Sequence, residues 1–184
     1  MKRILFLLAA AAVYPTAVSA QSNDAEIQRA VRAAPARMQA EATVLDLRSD
    51  GTIAVLREGS NGLICWDNAG RPGVTRAFDV QCTTEANRAR LAQNHAFQSA
   101  GGTDEEIQAR FAEAEANGTR ALSEFGSIYY HMMGDSPEAA GPHTTVAVPG
   151  ATGQSLGLPE RGGPAMLWLM QAGTSSAHLM VSGI

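Results

Sequence analysis

The sequence predicts a single α+β domain, mainly antiparallel sheet, with an N-terminal helix and a central helical pair. Three observations predict it. Apolar residues recur at helical spacing from Ser22 to Ala34. Apolar runs of strand length, punctuated by Gly, Pro and Ser, fill residues 42–66 and the last third of the chain. Between them lie two helix-rich stretches that meet at Gly101-Gly102. The sequence has no internal repeat and no linker long enough to divide it, so one domain is the economical reading.

Residues 1–20 read as a secretory signal peptide. Lys2 and Arg3 form a positive end, Ile4 to Val13 is an uninterrupted apolar run, and Val18-Ser19-Ala20 supplies small residues for cleavage. The expected mature domain is therefore 21–184, exported to the periplasm or the medium. An uncut N-terminal anchor is the alternative. The apolar run is shorter than the ~20 residues that cross a bilayer, and no later segment approaches that length, so no transmembrane segment is expected in the mature chain. Position 21 is Gln, so a lipoprotein cysteine is not available there.

Removing that segment leaves twelve basic and eighteen acidic residues, a net charge of −6. An acidic chain without a basic patch is not expected to bind nucleic acid. Lys2 is the only lysine, so the mature chain cannot form a Schiff base or use a P-loop lysine or a Ser-Lys dyad. No cofactor is expected, and composition identifies no partner class.

Within the mature part, Asn23 with Glu26 can cap the first helix, and Pro35 should end it. Residues 43–47 and 53–56 flank Ser49-Asp50-Gly51-Thr52, a strong hairpin signal. A second turn, Gly59-Ser60-Asn61-Gly62, leads into Leu63-Ile64-Cys65-Trp66, so a three-stranded meander is predicted. Cys65 and Cys82 are the only cysteines. In an oxidising compartment they are expected to form a structural disulfide closing a turn-rich loop, since their separation fits neither a zinc knuckle nor a C-x-x-C redox motif.

Thr84 to Ser99 reads as a helix, broken at Gly101-Gly102. Thr103-Asp104-Glu105-Glu106 is a capping box opening a second helix that stops at Asn117-Gly118. Leu122 to Met133 is read as a short helix ending near Gly126, then a strand. Thr144–Val148, Ala165–Met170 and His178–Val181 complete the strands.

Gly141-Pro142-His143, Gly162 to Trp168 and Ala177-His178-Leu179-Met180-Val181 carry a resemblance, together with Ala33-Ala34-Pro35, Leu56-Arg57-Glu58-Gly59 and the Cys65–Cys82 loop. In these motifs the chain resembles a family of uncharacterised exported bacterial proteins. The resemblance implies export and fold class but no activity. The chain departs from that family in the Cys loop and around Tyr130-His131-Met132-Met133, so His131 is not among the residues the resemblance implies.

Two chemistries are legible. His143 and His178 each open a predicted strand in matching contexts, and neighbouring strands would bring their imidazoles to one end of the sheet, with Tyr130, Asp135 and Glu138 near His143 in sequence. Strand-end histidines bonded to backbone are the competing reading. His178 and Met180 lie on one strand face, and with His131-Met132-Met133 they suggest soft ligands for copper(I). Met166, Met170 and Met180 would equally serve as core filler. Gly153-Gln154-Ser155-Leu156-Gly157 matches the nucleophile-elbow pattern, but Leu158-Pro159 and Gly162-Gly163-Pro164 argue for a surface loop instead. His95 reads as a helix-edge residue, and Trp66 and Trp168 as core or rim. The function expected is a binding or structural module with one disulfide. The alternative is a hydrolytic or metal-assisted enzyme at His143 and His178.

Overall fold

The computed structural model describes residues 17–163 and 167–181. The charged end and apolar run of the expected signal peptide lie outside the described residues, as do Ala165 and Met166 of the predicted strand Ala165–Met170. Helix α1 spans Ala17–Ala30 and passes through a 3-10 turn, Val31–Ala33, to Pro35, which stands before the short helix α2, Ala36–Gln39. Asn23 lies inside α1 and does not cap it, because the backbone is already helical from Ala17.

Strands β1 (Thr43–Leu47), β2 (Ile53–Arg57), β3 (Leu63–Asp67) and β4 (Phe78–Thr84) precede the helical pair α3 (Arg88–Ser99) and α4 (Asp104–Ala116). Strands β5 (Ile128–Gly134) and β6 (Gly141–Ala147), the single turn α5 (Gly153–Leu156), and strands β7 (Trp168–Met170) and β8 (His178–Met180) follow. The chain is one α+β domain whose described strands form one sheet in the order β2-β1-β3-β4-β5-β6-β8-β7. Among the described strands only β1 and β3 run parallel.

That parallel pair corrects the predicted meander. The β1–β2 hairpin forms across Asp50-Gly51 as expected, but β3 does not pair with β2; it crosses to the far side of β1. The crossing is held by backbone. Ser60 N and Asn61 N both donate to Glu41 O (2.8 and 3.2 Å), and Gly59 N donates to Thr43 Oγ1 at 3.0 Å. Arg57 donates to the carbonyls of Ala42 and Gln39 beneath it. These bonds satisfy polar groups at the start of β1 that a meander would leave to solvent.

Strand β4 is the second correction. The turn-rich loop after Cys65 ends in a central strand whose Phe78, Val80 and Cys82 are fully buried. Cys65 and Cys82 face each other directly across β3 and β4 and form the expected disulfide. They pack with Ile27, Ala30, Val31 and Ala34, so the bridge lies under α1 in the core. Arg29 reinforces this face. It pairs with Asp67 and donates to Ala77 O (2.7 Å), and its guanidinium lies 4.5 Å from the Phe78 ring centre. Opening the bridge is expected to lower the unfolding free energy by about 3 kcal/mol, the entropy of closing such a loop. Urea unfolding of oxidised and reduced protein measures it.

On the opposite face, Leu91 of α3 packs on Leu45, Ile64 and Trp66. Helix α4 begins with the predicted capping box. Glu106 N donates to Thr103 Oγ1 (3.3 Å) and Thr103 N to Glu106 Oε2 (2.7 Å). Phe97 and Phe111 join the two helices edge to face, with ring centres 5.2 Å apart.

The short helix predicted after Leu122 is absent. Residues 119–124 instead run without regular structure past α3 and the turn before it, whose side chains take up their backbone groups. Gln93 bonds Thr119 O and Ala121 N (2.8 and 2.9 Å), Arg90 bonds Ala121 O (2.6 Å), and Asn87 bonds Glu124 N (2.8 Å). Three long-range polar side chains thus replace the helical ladder. The apolar residues that suggested a helix, Leu122 and Phe125, face outward.

Candidate ligand pocket

The sheet face beneath α3 carries a cavity of about 260 Å³. Strand alternation decides which side chains reach it. Pairing of Gln81 with His131, and of His131 with His143, aligns these side chains across β4, β5 and β6. Tyr129 opposite Thr145 continues the same face, and so does His178 opposite Ala147. Helix α3 contributes Arg90 and Asn94 from above and the turn before it Asn87, while Ser123 and residues 175–177 close the sides.

His143 and His178, singled out in the sequence, both line this cavity. They are joined by His131, which the sequence places only in a soft-ligand cluster with Met132 and Met133. The His131 and His143 rings meet edge to face with centres 6.3 Å apart. His131 Nε2 donates to Asp79 Oδ1 at 2.8 Å, and Asn68 Nδ2 donates to the same oxygen at 3.0 Å. Burial works against the Asp79 carboxylate. The hydrogen bonds from His131 and Asn68, with the nearby charges of His131 and Arg71, outweigh it and hold its pKa below the usual carboxylate range. His178 Nδ1 donates to Ser176 O at 2.8 Å, since a carbonyl can only accept.

These bonds set the tautomers. With its proton on Nε2, neutral His131 keeps a lone pair on Nδ1; with its proton on Nδ1, neutral His178 keeps one on Nε2. His143 makes no hydrogen bond with a described residue. Burial, followed by the neighbouring His131 and His178, lowers its pKa and favours the neutral ring. Every buried side-chain nitrogen and oxygen among the described residues has a partner, so the unbonded imidazole nitrogens of these cavity-lining residues are not sealed in the core. Tyr129 exchanges a 2.8 Å hydrogen bond with Ser123, and burial raises its pKa, keeping the phenol protonated.

No protein-family model, curated protein or solved structure matches the chain.

The remaining sequence candidates fall elsewhere. Met180 is buried, opposite Thr145, and does not line the cavity. Among the described residues, no three His, Cys, Asp or Glu side chains are placed to hold a metal ion. Tyr130 has the opposite strand parity and packs with the disulfide cluster, while Asp135 pairs with Arg76. The polar cluster around His143 is therefore built from Tyr129 and His131, one position along from Tyr130 on either side. Ser155 is exposed and belongs to the capping box of α5, exchanging bonds with Thr152. It stands on a surface turn, as its flanking residues implied.

His95 departs from the expected helix edge and is 1 % exposed. Its Nε2 donates to Thr52 O in the β1–β2 turn (3.1 Å), and its Nδ1 accepts from Arg71 Nη2 (3.0 Å). It is a structural joint between hairpin, Cys loop and α3. Trp66 is buried, with Nε1 donating to Asn68 Oδ1 at 2.8 Å, and reaches the cavity edge.

Proposed function

We propose that the chain is an exported binding module for a small polar ligand, held between the sheet and α3. One observation carries the reading: three imidazoles from three strands line one cavity, each with a nitrogen that no described residue bonds. A group of polar side chains that bond one another completely has no capacity left for a ligand; here donors and acceptors remain open. A volume of about 260 Å³ suits a small ligand, since about 150 Å³ already holds a benzene ring. Export is supported by the N-terminal charge and apolar run, and by a disulfide that persists in oxidising compartments. The resemblance to exported bacterial proteins points the same way.

Thermal unfolding in the presence of small acids, amines, sugars and nucleobases tests the reading. At least one class is expected to raise the melting temperature of the wild type. His143→Phe, which fills the cavity with an apolar ring, is expected to abolish that shift while keeping the circular dichroism spectrum. If no class stabilises the wild type, the reading is wrong.

A second reading rests on the Asp79–His131 pair. A carboxylate that fixes an imidazole tautomer and leaves the other nitrogen open to a cavity is the arrangement of a general base. In a hydrolytic reaction, His131 Nδ1 would take a proton from water as it attacks an acyl carbon, then return it to the leaving group. His131→Gln keeps a donor for Asp79 but cannot accept that proton. It is expected to abolish hydrolysis of small chromogenic esters and to leave ligand binding in place.

A further inference from the structure

The ligand's charge can be read from Arg90. Its side chain enters the cavity wall from α3, and the residue is only 6 % exposed. Nη1 donates to Ala121 O and Ser175 Oγ (2.6 and 3.1 Å), and Nη2 donates to Ser176 Oγ. None of these acceptors carries charge. Nε–H and the second Nη2–H have no partner among the described residues. A buried guanidinium keeps its proton, so it needs a counter-ion or loses much of its solvation energy without compensation.

The protein supplies little of that compensation. The nearest carboxylate, Glu115, is engaged by Ser175, accepting from its backbone N and its Oγ at 2.5 Å each. Glu115 also faces a second buried guanidinium. Arg120 is 9 % exposed, bonded to the neutral amide oxygens of Gln93 and Asn94, with its charge 5.0 Å from the Phe111 ring centre. Burial and then the charge of Arg90 lower the pKa of Arg120 to about 10, which leaves it protonated at neutral pH. Two buried cations thus share one carboxylate. The cavity lining itself contains one arginine and three imidazoles and no Asp or Glu, in a chain that is acidic overall.

The geometry points to a small organic carboxylate as the ligand, its carboxylate paired with the open N–H groups of Arg90 and its remainder turned toward the imidazoles. This rests on the cavity being a binding site, as proposed above. One guanidinium with two free N–H groups matches the two oxygens of one carboxylate. A phosphate site would call for more cations or a cradle of backbone N–H groups, and neither lines the cavity.

Matched pairs of acids and their primary amides, such as benzoate with benzamide and succinate with succinamide, separate charge from shape. Titration calorimetry at pH 7 and fixed ionic strength is expected to give at least one acid a tenfold or greater advantage over its amide. Arg90→Gln keeps donors for Ser175 and Ala121 O, and is expected to bring the ratio of acid to amide affinity down to about one. Arg90→Lys is expected to retain part of the advantage. An acid and amide that bind the wild type equally would overturn the inference and leave the binding site standing. So would inorganic phosphate outbinding every acid. Discrimination that survives Arg90→Gln but vanishes in His143→Gln would move the anion to the imidazoles and overturn the role of Arg90. If neither member of any pair binds, both the site and its charge assignment are wrong. Should Arg90→Gln fail to fold, the wild-type ratio of acid to amide decides alone.

Discussion

Gly59→Ala is expected to destabilise the protein by at least about 3 kcal/mol, at the top of the range for overpacking. A Cβ at this position would stand 2.3 Å from Glu41 O and Thr43 N and 2.4 Å from Ala42 C. All three are backbone atoms, so no rotamer change relieves the contact. They belong to the start of β1, where Gly59 N, Ser60 N and Asn61 N are themselves bonded, so moving the crossing strand away breaks the bonds that hold it. Gly62→Ala is the control. Gly62 has φ +75° but nothing within 4 Å of an added Cβ, so alanine there costs only the left-handed backbone, about 1–2 kcal/mol. Urea unfolding of the two variants gives the comparison. Equal midpoints would mean that β3 does not cross β1 in contact with it.

That crossing also shows why part of the fold was illegible in sequence. The Asp50-Gly51 hairpin, the Thr103 capping box and the stop at Asn117-Gly118 are local devices, and each stands where its residues predict. The cysteine pair is legible because composition and the expected compartment leave it few alternatives. The side of β1 on which β3 pairs is not local. The linker Glu58–Gly62 allows either placement, and what decides is backbone packing at residues 41–43, which leaves no periodic trace. Strand β4 was hidden for a related reason. Apolar and polar residues do alternate through Phe78-Asp79-Val80-Gln81-Cys82, yet the turn residues before them drew the segment into the Cys loop.

The site inherits both cases. His143 and His178 stood out because each opens an apolar run. The place of His131 beside His143 escaped because it depends on Asp79, which lies on the unrecognised strand, and on register: His131 faces Gln81 and His143, while Tyr130 faces the disulfide. A parity count along β5 from His143 would have found it, had β5 and β6 been paired in advance. Arg90 carries no sequence signal at all. A helical arginine is ordinarily solvated, and only the folded-back segment 119–124 and residues 175–176 bury this one.

His95 carries the second large effect, and it is one of pH. Arg71 offers only donors, so the 3.0 Å contact requires a lone pair on His95 Nδ1 and places the proton on Nε2, facing Thr52 O. Protonating Nδ1 would set two donors and two positive charges against each other in a site that water hardly reaches. Burial, followed by the charge of Arg71, accordingly lowers the pKa of His95 below the usual 6.5. In the window below 6.5 the unfolded chain therefore binds more protons than the folded one. Stability is complete above that window and falls as pH drops through it, until the folded-state value is reached. His143, lowered in the same direction, adds to the same loss. Asp79 acts lower on the scale: its depressed carboxylate contributes stability above 3.8 that disappears only as pH falls through its folded value. The acid sensitivity that sets in below 6.5 thus belongs to His95 and His143. His95→Gln can accept from Arg71 and donate to Thr52 O without titrating, so it is expected to flatten the decline in urea midpoint from pH 7.5 to 4.5. His95→Leu removes both bonds and is expected to cost about 2–3 kcal/mol already at pH 7. If His95→Gln shows the full wild-type decline, the joint between hairpin, Cys loop and α3 does not depend on a neutral His95.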